Sequence, residues 1–173
     1  EVTNGEGILL VLPATEVEGE SRAGGLVGTM SATVDLGGVI DGAALTGDIE
    51  LQVNETGFRV SESIAVGDSL VEVDLQAGPY LRVAVTEGEL AIAGQTLSGN
   101  FAFESMTTPG ADGNFTTGAD NGTLLGIAAT EVSLVLGDGT TDYISLTSGE
   151  GLLVIEDDGL AGRISGTVSV ENL

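Results

Sequence analysis

The chain has 173 residues, 42% of them hydrophobic and 3% aromatic, and carries a net charge of −23 from 27 Asp and Glu against four Arg. Such a charge repels nucleic acid and anionic membrane surfaces, so neither is an expected partner, and no run of about 18 apolar residues suggests membrane insertion. With no Cys, His or Lys, the chain cannot build a disulfide, a Ser-His or Cys-His relay, or a Schiff base. Carboxylate pairs are plentiful, but with so many acids any two fall close together by chance, and no nucleophile elbow or phosphate loop is present. A non-catalytic protein is expected.

Taken in chain order, period-two alternation recurs and helical periodicity does not. Strands are predicted over Thr29–Leu36, Asp48–Val53, Ser69–Leu75, Leu81–Val85 and Glu89–Ala93. Further strands are expected over Asn100–Glu104, Glu131–Leu136, Tyr143–Leu146, Leu152–Ile155 and Arg163–Val170. Glycine-rich punctuation separates them, and Ala65-Val66-Gly67-Asp68-Ser69 has the composition of a hairpin loop. The phrases Thr86-Glu87-Gly88 and Thr147-Ser148-Gly149 read as turns of the same kind.

Two levels of repetition lie over this pattern. Thr3-Asn4-Gly5-Glu6-Gly7-Ile8-Leu9-Leu10-Val11 recurs 144 positions later as Thr147-Ser148-Gly149-Glu150-Gly151-Leu152-Leu153-Val154-Ile155. The segment Gly25–Val34 recurs 134 positions later as Gly159–Val168, so the first copy holds ten extra residues around Pro13–Arg22. A shorter Leu-x-Gly unit appears at Leu26, Leu45, Leu97 and Leu160. The whole of 1–173 thus reads as a single β-repeat unit, one period of about 144 residues plus the start of the next copy. The fold class expected is all-β: an elongated repetitive structure, a solenoid-like stack of short strands, with an antiparallel β-sandwich or meander as the alternative.

The span 106–123 breaks the alternation and is rich in Gly, Asp, Asn and Thr, as expected of a functional or projecting loop. Calcium needs several hard oxygens on a chain that bends around the ion. Three acidic segments offer them: Asp112, Asn114 and Asp120; Asp138 and Asp142; and Asp157 and Asp158. The competing reading is that these residues form turns through local side-chain to backbone bonds. Asn54, Asn114 and Asn121 each begin an Asn-x-Thr triplet, the acceptor pattern for N-glycosylation.

Three stretches carry a family resemblance: Val53-Asn54-Glu55-Thr56 through Leu75-Gln76-Ala77-Gly78-Pro79-Tyr80-Leu81-Arg82-Val83, Leu97-Ser98-Gly99-Asn100-Phe101-Ala102-Phe103-Glu104 and Leu134-Val135-Leu136-Gly137-Asp138-Gly139-Thr140-Thr141-Asp142. They resemble the tandem β repeats of giant secreted bacterial cell-surface proteins of the adhesin type. The resemblance implies an extracellular, cell-surface location, a structural spacer or fibre role, calcium stabilisation, and neighbouring copies of the same repeat as partners. The alternatives are a subunit of a self-assembling filament or surface layer, and a module that binds a glycan or receptor.

Overall fold

A computed structural model describes residues 1–17, 20–37, 43–92, 95–108, 121–138, 140–156 and 158–171. Twelve strands account for almost all of them, so the chain is all-β. They are β1 (Val2–Leu12), β2 (Thr15–Val17), β3 (Glu20–Arg22), β4 (Gly25–Asp35), β5 (Ala43–Asn54) and β6 (Val60–Val66). There follow β7 (Ser69–Leu75), β8 (Tyr80–Ile92), β9 (Gln95–Thr108), β10 (Gly122–Gly137), β11 (Asp142–Glu156) and β12 (Gly159–Val170).

Eight strands form one sheet in the order β1-β4-β5-β8-β9-β10-β11-β12, each antiparallel to its neighbours. This pairing is that of the antiparallel meander; the coils of a solenoid would set strands parallel. Two small hairpins interrupt the meander. β2–β3 occupies most of the ten-residue excess of the first copy, and β6–β7 turns at Gly67, whose φ of 61° suits a tight hairpin loop.

The strands are longer than the predicted runs, and the reason is local. Asn4, Glu87, Glu131 and Ser148 have φ between 51 and 57° and sit where the registers of β1, β8, β10 and β11 shift by one residue. Each follows a threonine: Thr3, Thr86, Thr130 or Thr147. A left-handed residue inside a strand makes a β-bulge rather than a turn, so the strand bends, resumes its pairing and restores its alternation. The runs predicted on either side of Glu87 and of Ser148 are therefore single strands, β8 and β11. The bulges align across the sheet and are tied by side chains. Asn4 Nδ2 donates to Thr33 Oγ1 at 3.4 Å, Thr33 Oγ1 to Asp48 Oδ1 at 2.7 Å, and the Glu87 amide to Asn100 Oδ1 at 2.9 Å. Asn100 Nδ2 in turn reaches Thr130 Oγ1 at 3.3 Å and Glu131 Oε2 at 3.0 Å.

Alternation and register divide the sheet into two unlike faces. On one, the row Gly7–Met30–Leu51–Val83–Phe103–Ile127–Leu153–Gly162 runs across all eight strands, flanked by equally apolar rows. The opposite, mixed face carries Gln52, Glu50, Arg82 and Glu104, and only its N-terminal part is covered. There the β6–β7 hairpin packs Val60, Val73 and Leu75 against Ile8, Val27 and Tyr80, with Leu10, Leu12, Phe58, Val71 and Met106 around them. This is the core among the described residues, and it is mostly aliphatic, with Tyr80 and Phe58 its aromatic members.

The hairpin is anchored by Asn54, which is fully buried at the end of β5. Its Nδ2 donates to the carbonyls of Phe58 at 2.9 Å and Gln76 at 2.6 Å; its Oδ1 accepts from the amide and hydroxyl of Thr56 at 2.8 and 2.6 Å. Phe58 and Gln76 flank the hairpin, so one amide clamps both ends of the excursion. The Asn54 triplet is thereby closed to glycosylation in the folded protein.

Candidate assembly surface

The two copies of the internal repeat fold as the same object. β1 pairs with β4, and β11 with β12, in matching registers: Glu6 with Ser31 and Glu150 with Ser165, Leu9 with Gly28 and Leu153 with Gly162. Each hairpin has its bulge at the equivalent place, Asn4 and Ser148. Gly28 and Gly162 are glycine for the same reason. A Cβ at Gly28 would lie 2.9 Å from Leu9 Cδ1, and one at Gly162 would lie 2.8 Å from Leu153 Cδ1. The other Leu-x-Gly glycines differ: Gly47 and Gly99, with φ of 149 and 148°, lie opposite the bulges. The fourfold unit is therefore two pairs with two distinct backbone roles.

Both hairpins hold a concavity on the apolar face. One, of about 620 Å³, is lined by Gly7, Leu9, Met30, Ala32 and Val34, and closed on the β4 side by Ile49 and Leu51 of β5. The other, of about 880 Å³, uses the equivalent residues Gly151, Leu153, Ile164, Gly166 and Val168, with Phe101, Ile127, Ala129 and Val132 on its β11 side. The second lacks the wall that β5 gives the first, because nothing pairs with the outer edge of β12 among the described residues. The mixed face shows the same contrast. Ile8 is 6% and Val27 0% exposed beneath β6–β7, whereas Leu152, the counterpart of Ile8, is 53% exposed. One copy is dressed by β5, β6 and β7, and the other is bare.

Arg82, at the centre of the mixed face, is the focus of a polar network. Its Nη1 lies 3.0 Å from Glu50 Oε2 and its Nε 3.7 Å from Glu104 Oε2, while Gln52 Nε2 donates to Glu50 Oε1 at 2.8 Å. The Tyr80 hydroxyl faces Gln52 Oε1 at 3.2 Å and Glu104 Oε2 at 3.5 Å. Burial first, then the Glu104 charge, push the Tyr80 phenol up to about 12, so it remains a neutral donor throughout the physiological range. The arrangement shares one guanidinium between two carboxylates, leaving a single net negative charge. Tyr143, which heads a similar sequence phrase, is more exposed and donates instead to Asp138 Oδ2 at 2.8 Å.

Asp138 follows β10, and its Oδ1 accepts the amides of Thr140 at 2.9 Å and Thr141 at 2.8 Å. These amides, Thr141 foremost, and the Tyr143 hydroxyl hold its carboxyl below the usual range. That is the geometry of a turn-forming Asp, and a cation there would have to share or displace these bonds. Asp142 opens β11, and Asp158 lies in the turn after it. The fifteen-residue length of β11 separates these two sites by about 45 Å, so they cannot share an ion. Asp112, Asn114, Asp120 and Asp157 lie outside the described residues. Among the described residues, no group of three or more acidic side chains is placed to hold a metal.

No protein-family description, curated protein or solved structure matches the chain. The bulge residues and the Asn54 clamp were absent from the sequence expectations. The signal for the first was available: a threonine and a polar residue inside each alternating run, after which the apolar parity switches. For Asn54 the bonds to Thr56 and Phe58 are local, but the bond to Gln76, 22 positions away, and the burial of the side chain are not.

Proposed function

We propose that the chain is a non-catalytic structural repeat of an extracellular, adhesin-like surface protein, serving as a spacer or fibre segment. The observation that carries this reading is the bare second copy of the β1–β4 hairpin. β4 pairs with β1 on one side and β5 on the other, whereas among the described residues its counterpart β12 pairs with β11 alone. In an array, the next module supplies a β5-like strand to β12 and a β6–β7-like hairpin to Leu152, and one continuous sheet passes from module to module. Each such junction adds an interface term to the stability of its neighbours.

The test is a protein of two periods merged through the shared hairpin, with β11–β12 of the first serving as β1–β4 of the second. It should melt several degrees above the 173-residue chain, in one transition. Two transitions at the original temperature would sink the tandem reading. The outer edges of β1 and β12, unpaired among the described residues, also favour the runner-up, a subunit that joins separate chains edge to edge into a filament.

Calcium stabilisation belongs to the same proposal, supported by the −23 charge and the complete absence of Lys. The segment holding Asp112, Asn114 and Asp120 is the first to test, given that the Asp138 oxygens are already engaged. Millimolar calcium should raise the melting temperature by several degrees over sodium chloride of equal ionic strength, and Asp112→Ala should reduce that gain. Equal effects of the two salts would mean that the acidity is general rather than site-forming.

A further inference from the structure

The apolar face runs across both copies of the hairpin, on the side opposite the β6–β7 core, and it is the largest feature left unexplained. No charged side chain interrupts its central row or the two rows beside it, one from Leu9 to Leu160 and one from Ala32 to Ile164. Within the stretches that form these rows, Glu6, Glu50, Glu104 and Glu150 lie on the mixed face. Large side chains stand open on it: Phe103 at its middle is 52% exposed and Ile164 near its edge is 90% exposed, with Met30, Leu81 and Val168 also exposed. The β6–β7 hairpin is on the opposite side and cannot reach it.

The exposed area is large enough to decide what kind of partner this face takes. The chain exposes 10923 Å², whereas a compact monomer of 17.3 kDa exposes about 7,800 Å². Shared between the two faces of an open sheet, the excess of about 3,000 Å² leaves this face about 1,500 Å², within the roughly 1,000–2,500 Å² that each subunit buries in an obligate interface. Apolar patches on soluble monomers rarely exceed a few hundred Å².

We propose that this face packs against the same face of a second copy of the chain, closing two open sheets into a two-layer sandwich. An isologous contact of this kind places each row of aliphatic side chains against its own counterpart, and aligned sheets pack about 10 Å apart with interdigitating side chains. It also meets the charge problem. Two chains of −23 approach through three rows that carry no carboxylates, with Glu6 and Glu150 at the margins of the concavities and most other acids on the outer faces in water. The ridge at Phe103 lies between the two concavities described above, so each copy presents both a projection and recesses. The pairing is independent of the tandem reading, which concerns the edge of β12.

Phe103→Asp is the decisive variant, because β9 is internal to the sheet and the substitution touches neither edge. Sedimentation of the 173-residue chain at micromolar concentration should give twice the monomer mass. Phe103→Asp should weaken the dimer at least thirtyfold while retaining the β-sheet circular dichroism, and Phe103→Leu should preserve it. Should Phe103→Asp fail to fold, Met30→Glu and Ile164→Glu, at opposite ends of the face and already exposed, must each weaken the dimer. A wild-type monomer, a dimer indifferent to these changes, or a monomer that floats with phosphatidylcholine vesicles would overturn the proposal. Loss of the two-period melting gain with the dimer intact would count against the tandem reading alone.

Discussion

Asn54→Ala should lower the unfolding free energy by about 3 kcal/mol or more and free the β6–β7 hairpin from the sheet. The side chain is fully buried and makes four hydrogen bonds, two given and two accepted. Truncation leaves the Phe58 and Gln76 carbonyls and the Thr56 amide without these partners where water does not reach easily, and each orphaned group costs about 1–3 kcal/mol. Thr56 Oγ1 retains its bond to the Phe58 carbonyl, so the loss falls short of the full sum. Asn54→Asp should be no milder, since a carboxylate would face two carbonyl oxygens in a dry site. Urea denaturation gives the free energy, and limited proteolysis between Val60 and Leu75 reports the loosened hairpin. A loss below about 1 kcal/mol would mean that the apolar contacts of Val60, Val73 and Leu75 hold the hairpin without the clamp.

Gly99→Ala should cost about 2–4 kcal/mol, for two reasons that add. At a φ of 148° an L side chain is strained in itself. The added Cβ would also lie 3.1 Å from both the Thr130 carbonyl oxygen and Val132 Cα, which belong to the neighbouring strand and cannot swing aside. Gly47→Ala should behave alike, against Gly88 Cα and Val85 Cγ1 at 3.1 Å. Glu87→Gly is the control. Its φ of 51° is one that glycine adopts freely, so relief of left-handed strain offsets the greater unfolded-state entropy, and the change should fall within about 1 kcal/mol of zero. If Gly99→Ala were as mild as Glu87→Gly, the row of bulges would not be a constrained feature of the sheet.

Thr86-Glu87-Gly88 shows how a correct reading of composition can still misplace an element. Glycine beside a polar residue signals a positive φ; the backbone has one here, but at Glu87 rather than at Gly88. A turn and a bulge need the same local conformation. They differ in whether the chain reverses or continues, and that depends on whether neighbouring strands are present on both sides to recapture the hydrogen bonds. Glu87 has β5 on one side and β9 on the other, so the strand continues. The solenoid expectation went astray through the same ambiguity. Short runs suggested short coils, but bulges had split long antiparallel strands in two.

The sequence by itself determined what depends on side-chain chemistry and on period. Alternation set the strand character and the uncharged face, because a period of two sends successive residues to opposite sides of any sheet. The absence of His, Cys and Lys closed the common routes to covalent and relay catalysis, and the 144- and 134-residue shifts marked the hairpin that folds twice. Only the tertiary structure decided which strands are neighbours, that Asn54 is a buried clamp instead of a glycosylation acceptor, and that one copy of the hairpin is covered while the other is bare. Those outcomes turn on contacts between residues far apart in the chain. Their geometry is settled by which surfaces meet once the sheet has formed; Asn54 bonds Thr56 and Phe58 locally, but its burial and its bond to Gln76 come only with the returning hairpin.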